Sequence, residues 1–206
     1  MIKMAKGSND LILRDRLQFD INATGNTDLV YGRIDLSDYV SIPEAKGLAI
    51  KEIRFQLRTR VTGDDGVWPN YMGEDRPLSQ APNTNYTSSV KLFATTTAYE
   101  DVLDVGVASP NVICVFDKQS RLMTYELAGD LIAAGLDTYE HMFGTPDLHP
   151  EGYDVVTDLL IGIAASGLTS PSLINSTAEI DVMIIAEPKK ITNKDLTQML
   201  SQAQDL

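Results

Sequence analysis

Ile53-Arg-Phe-Gln-Leu-Arg-Thr-Arg-Val61 is the stretch that decides the fold. Ile53, Phe55, Leu57 and Val61 fall on one side of a two-residue repeat, while Arg54, Gln56, Arg58 and Arg60 fall on the other. Strict alternation is the signature of a strand with one face against a core. The opposite face gathers three arginines in a chain whose net charge is -12. Just upstream, Leu48 and Ile50 sit on even positions, whereas the apolar residues from Ile53 onward sit on odd ones. That change of parity predicts a β-bulge near Lys51 and Glu52.

The same pattern recurs on both sides of this strand. Leu11, Leu13, Leu17, Phe19 and Ile21 alternate with polar neighbours, interrupted by Asp15, and Thr24-Gly-Asn-Thr27 turns the chain. Leu29–Leu36 is a second strand, with Gly32 marking a bulge or a close backbone approach. Val90–Ala98, Val102–Val107 and Asn111–Phe116 read as short strands, and Val155–Ser166 as a strand buried on both faces. Ile180, Val182, Ile184 and Ala186 alternate before Pro188.

Two segments carry a helical period. Leu127, Ala128, Leu131, Ile132 and Ala134 place a short helix near 124–134. A C-terminal helix near 193–204 has Thr192 as its cap, Asp195 at the third helical position, and an apolar stripe of Leu196, Met199, Leu200 and Ala203. The resulting organisation is a flexible N-terminal arm (1–10), one antiparallel β-sandwich domain of jelly-roll type (11–190), and the terminal helix (191–206).

Composition excludes more than it identifies. The acidic balance argues against sequence-independent nucleic-acid binding, which needs many cationic phosphate contacts. No run approaches the roughly 18 apolar residues of a membrane-spanning helix. Cys114, the single cysteine, lies in the apolar run Val112-Ile-Cys-Val-Phe116 and reads as a buried thiol. His141 and His149 fall in one polar loop beside acids, without a metal-ligand spacing. No nucleophile elbow, phosphate-binding glycine loop or metalloprotease helix occurs, so the expectation is a protein that is not an enzyme, with no catalytic residue, metal or cofactor.

What remains are surfaces. Arg54, Arg58 and Arg60 are either a solvated face paired with acids on the next strand or a contact face. The turn-rich stretch 62–89 offers Trp68, Tyr71 and Tyr86 as anchors for a partner. Leu196, Met199 and Leu200 pack on their own sheet or dock on a neighbouring subunit.

The layout resembles the single jelly-roll coat proteins of small icosahedral viruses, including tailless ones. The resemblance is carried by Tyr31-Gly-Arg-Ile-Asp-Leu-Ser37, Ile53-Arg-Phe-Gln-Leu57, and Ile180-Asp-Val-Met-Ile-Ile185 followed by the terminal helix. It implies a virion protein that assembles with copies of itself into pentamers or hexamers and then a shell, in contact with other virion proteins. Many such coats carry a long basic arm. Here only Lys3, Lys6, Arg14 and Arg16 lie near the start, so genome contact is expected to be weak or indirect. The competing expectation is a β-sandwich recognition module that binds a glycan or a surface protein through the 62–89 loop.

Overall fold

The computed structural model describes residues 10–60, 65–73, 85–127, 131–144, 152–192, 194–195 and 197. Among the described residues nine strands make up the architecture: β1 (Leu11–Asp20), β2 (Thr27–Ile34), β3 (Lys46–Arg58), β4 (Asn85–Thr95), β5 (Val112–Leu127), β6 (Leu131–Phe143), β7 (Tyr153–Val155), β8 (Leu159–Ser166) and β9 (Thr177–Lys190). They form two sheets, ordered β1-β9-β3-β7 and β2-β8-β4-β5-β6. Every pairing is antiparallel, and the pairs nest: β1 with β9, β2 with β8, β3 with β7, and β4 with β5. A long hairpin folded on itself and rolled into two layers has this order, so the sandwich is a jelly roll. The ninth strand, β6, is an addition at the outer edge of the larger sheet.

Alternation explains the core. The inward residues of β1, β9 and β3 meet those of β2, β8 and β4, and Leu48, Ile50, Ile53, Leu92, Leu159 and Ile180 are fully buried between them. The parity change in β3 is a bulge: Ile50 pairs with Ala186 and Glu52 with Ile185, leaving Lys51 as the extra residue. Both sides of it therefore keep their apolar residues inward. Pro188 lies in β9 beyond the end of its ladder with β1, opposite Leu48 alone, where a missing N–H breaks no pairing on the other side. Gly32 is a close approach: a Cβ there would collide with the Leu17 side chain, which reaches over from β1.

A second, smaller core lies on the outer face of the larger sheet. Phe93, Val105, Val112 and Val115 are buried there with Leu29, Tyr31, Tyr99 and Phe143 against them. The cover is the segment between β4 and β5. Here the structure corrects the expected strand over Val102–Val107: Val102–Asp104 is a single 3-10 turn capped by Asp101, and Val105 points down as a plug. Tyr31 fastens the cover, its hydroxyl donating to the Tyr99 carbonyl at 3.0 Å and accepting from the Tyr99 N–H at 2.7 Å.

The helix expected near 124–134 is also corrected. Leu122 pairs with Leu136, Glu126 with Ile132 and Leu127 with Leu131, so the segment is the end of a long β5–β6 hairpin. Leu127 on one side, and Leu131, Ile132 and Ala134 on the other, thus belong to two paired strands and not to one helical face. The inward positions of β5 hide its strand period, because Lys118, Ser120 and Thr124 are polar yet buried. At the C-terminus, Lys194, Asp195 and Thr197 are helical, and the Thr192 hydroxyl accepts from the Asp195 N–H at 3.2 Å, as a cap should. Leu196, Met199 and Leu200 lie outside the described residues, as does the arm over 1–9. No described helix is long and apolar enough to cross a membrane.

Candidate interaction surfaces

The outer face of the smaller sheet is built in rows by register. Arg14, Met183 and Arg54 form one row across β1, β9 and β3; Arg16, Asp181 and Gln56 the next; Gln18, Glu179 and Arg58 the third. Arg60, just past the end of β3, reaches back to Glu179 at 3.4 Å. The sequence grouped Arg54, Arg58 and Arg60; the structure adds Arg14 and Arg16, giving five guanidinium groups on one face. The signal for the added pair was present in the alternation of β1. What sequence could not say is that β9 lies between β1 and β3.

Charge on this face is shared unequally. Arg16 makes a forked pair with Asp181, at 2.6 and 3.3 Å, and Arg58 approaches the same carboxylate at 3.4 Å. Glu179, buried, accepts from Gln18 at 3.3 Å and is flanked by Arg16, Arg58 and Arg60 at 3.7, 3.9 and 3.4 Å. Arg54 pairs with Glu52. Four of the five arginines, Arg16, Arg54, Arg58 and Arg60, are thus paired with three carboxylates, Glu52, Glu179 and Asp181, while Arg14 is in none of these pairs and Asp20 lies on the same side of β1. The Arg16 hydrogen bond holds the Asp181 carboxyl below the usual range, and Asp181 in turn holds the Arg16 guanidinium up. Acids on the neighbouring strand therefore pair with the arginines, and within these three rows the guanidinium groups outnumber the carboxylates.

Of the aromatic residues in the 62–89 stretch, Trp68 is committed to the interior. It is 7% exposed, belongs to the main core, lies 6.3 Å from the Phe19 ring and donates its indole N–H to the Met72 sulfur at 3.1 Å. Met72 is fully buried, and its N–H donates to the Ser120 hydroxyl at 3.1 Å. The segment over 65–73 is thus sewn into the sandwich. Tyr71 and Tyr86 are half-buried; Tyr71 packs over Gly73, and Tyr86 lies opposite Leu122 in the β4–β5 ladder. Asp65 accepts from the Val67 N–H at 2.9 Å, an ordinary turn role for an acid.

His141 is not in a loop. It lies on β6, its ring stacked near Tyr139 (centroids 5.9 Å, planes 7° apart) and tilted against Phe143 at 4.2 Å. The β5–β6 hairpin carries further polar matching: Lys118, buried on the inward side, pairs with Glu140, and Arg121 lies opposite Asp137 in register.

Comparison with known proteins adds little to this geometry. No family model matches the chain, and no curated protein does. Among solved structures, the Acinetobacter baumannii phage AM24 tailspike protein is similar at 10% identity, over 86% of this chain, with a TM-score of 0.16. The chain corresponds to only 26% of that protein's length.

Proposed function

We propose that this chain is a structural subunit that assembles with copies of itself, its jelly roll forming the wall of an icosahedral viral shell. The observation that carries the reading is the arginine face: five guanidinium groups, four of them paired with three carboxylates, gathered at the middle of one sheet's outer face in a chain with net charge -12. A locally positive face on a strongly acidic molecule is complementary to the remaining surface of its own copies. Such contacts between unlike patches are heterologous, and they close into rings when the rotation permits. Rings of five or six are the building units of a shell. The role is structural and not catalytic, with the virion as its location and genome contact weak or indirect.

The jelly roll alone does not distinguish a coat from a lectin-like module. For a glycan-binding module, Trp68 would have to face solvent, and it is packed inside. Tyr71 and Tyr86 remain as the aromatic residues available to that reading.

Sedimentation and negative-stain microscopy of the purified chain test the proposal. Rings or shells are expected, dissociating as salt rises because exposed charge pairs are screened over roughly 8–10 Å. Reversing Arg58 or Arg60 would set like charge against Glu179 and confuse assembly with stability. Arg14→Gln with Arg54→Gln is the cleaner variant, since it lowers the positive excess and leaves the Glu179–Asp181 network whole. A chain that stays monomeric at all concentrations, or a double variant that assembles as the parent does, would overturn the reading.

A further inference from the structure

Among the described residues four strands end the two sheets, and three of them are protected against pairing with another chain. β1 carries Arg14-Asp15-Arg16, with Asp15 on the core-facing side where a second strand would have to bury it. β2 is broken by a register shift between Thr27 and Val30, and β7 is only three residues long. Inward charge, bulges and shortness are the usual protections of a sheet edge. β6 is neither short nor bulged: it runs thirteen residues without proline, lysine, arginine or a register shift, and its one inward charge, Glu140, is already paired with Lys118. Its other acid, Asp137, lies opposite Arg121 in register and faces solvent. Residues 136–141 are all exposed, Leu136 by 52% and Tyr139 by 46%.

We infer that β6 pairs antiparallel with β6 of a second copy, about a two-fold axis through Tyr139, joining the two larger sheets into one. The sequence of the strand is complementary to itself in this register. Tyr139 meets its own copy, and Thr138 meets Glu140, hydroxyl to carboxylate. Asp137 meets His141, acid to imidazole, and Leu136 meets Met142, apolar to apolar. Phe143 lies against Gly135, the arrangement in which an aromatic ring covers a strand glycine. Directly opposed pairs of these kinds are what stabilise a sheet. Neighbouring registers that keep the two sheets facing the same way are worse. An axis at Asp137 or at Glu140 opposes two like charges, and one at Thr138 sets Leu136 against Glu140. The interface is isologous, so it makes a dimer and stops. It rests on the self-assembly reading only in requiring a second copy, and it uses a surface distant in topology from the arginine face, β6 and β1-β9-β3 being in different sheets.

Cysteine cross-linking tests the register. Opposed residues of an antiparallel pair have Cα atoms roughly 4.5–5.5 Å apart, inside the roughly 4.4–6.8 Å range a disulfide spans. Tyr139→Cys should therefore form a covalent dimer on mild oxidation, while Leu136→Cys, about 20 Å from its own copy in this register, should not. Native Cys114 is buried and gives the background. Tyr139→Lys, which sets two ammonium groups face to face on the axis, should lose the dimer in sedimentation with the Trp68 emission unchanged. Equal or absent cross-linking of both cysteine variants, or a Tyr139→Lys chain that sediments as the parent, overturns the inference. Dimers through β6 without shells would overturn the shell reading and leave this one standing; shells from Tyr139→Lys would do the reverse.

Discussion

Arg16 on β1 and Asp181 on β9 form a forked ion pair, Nε to Oδ1 at 2.6 Å and Nη2 to Oδ2 at 3.3 Å. Because the Asp181 carboxyl is held below its ordinary range, the folded state binds its proton less readily than the unfolded chain does. The contribution is thus present above the unfolded carboxylate range, near pH ~3.9, and is lost as pH falls through the lowered folded value. Asp181→Asn is expected to cost on the order of 1 kcal/mol near neutral pH, a partly exposed pair being worth little more. The difference between parent and variant should shrink toward pH 2. Urea denaturation across that range measures it, and a difference independent of pH would reject the assignment.

Lys51 behaves with the opposite sign. Displaced from the ladder by the bulge, its ammonium reaches Asp10 and Glu187, each at 2.6 Å. The Asp10 hydrogen bond, followed by that of Glu187, raises its pKa. A raised folded value gives stability that is complete below the unfolded lysine range, near pH ~10.4, and lost as pH rises through the folded one. Lys51→Met should remove this alkaline loss while lowering stability at neutral pH by about 1 kcal/mol. Thermal melts between neutrality and high pH will show whether the parent curve alone falls.

The residues that sequence read well are those with one dry face and one wet face. β1, the bulged β3 and β9 alternate because the sandwich buries every second side chain, and the parity change at Lys51 was visible for the same reason. Acids at Glu179 and Asp181 were equally visible, though only register shows that they lie between Arg16 and Arg58. The β5–β6 hairpin was hidden because buried Lys118, Ser120 and Thr124 occupy its inward positions. The inward turn of Trp68 is not legible because Phe19, the ring it packs near, is far away in the chain. Loop composition reports nothing about which aromatic residue turns inward.

Gly162 offers a test of the second core. It lies between Tyr31 and Phe93 in the row across β2, β8 and β4, and the two rings meet edge-on above it with centroids 5.8 Å apart. A Cβ at this position would run into the Phe93 ring. Gly162→Ala should therefore destabilise by about 1–3 kcal/mol, as overpacking does, although alanine is the better strand former. A neutral or stabilising effect in urea would show that Phe93 can yield, and would remove the close-packing account of this row.

Trp68 is the chain's only tryptophan, so its emission reports one place. In contact with Phe19 and Met72 and almost out of solvent, it should emit at short wavelength in the folded protein and shift red in a single step with loss of the sandwich. Trp68→Ala empties a site in the main core and should cost about 3–5 kcal/mol, whereas Trp68→Phe keeps most of the volume, loses the bond to the Met72 sulfur and should cost less. Soluble glycans should leave the emission unchanged, because a sugar cannot stack on an indole packed inside. A red-shifted folded spectrum, or quenching by a glycan, would place the ring outside the core and return the 65–73 segment to consideration as a binding loop.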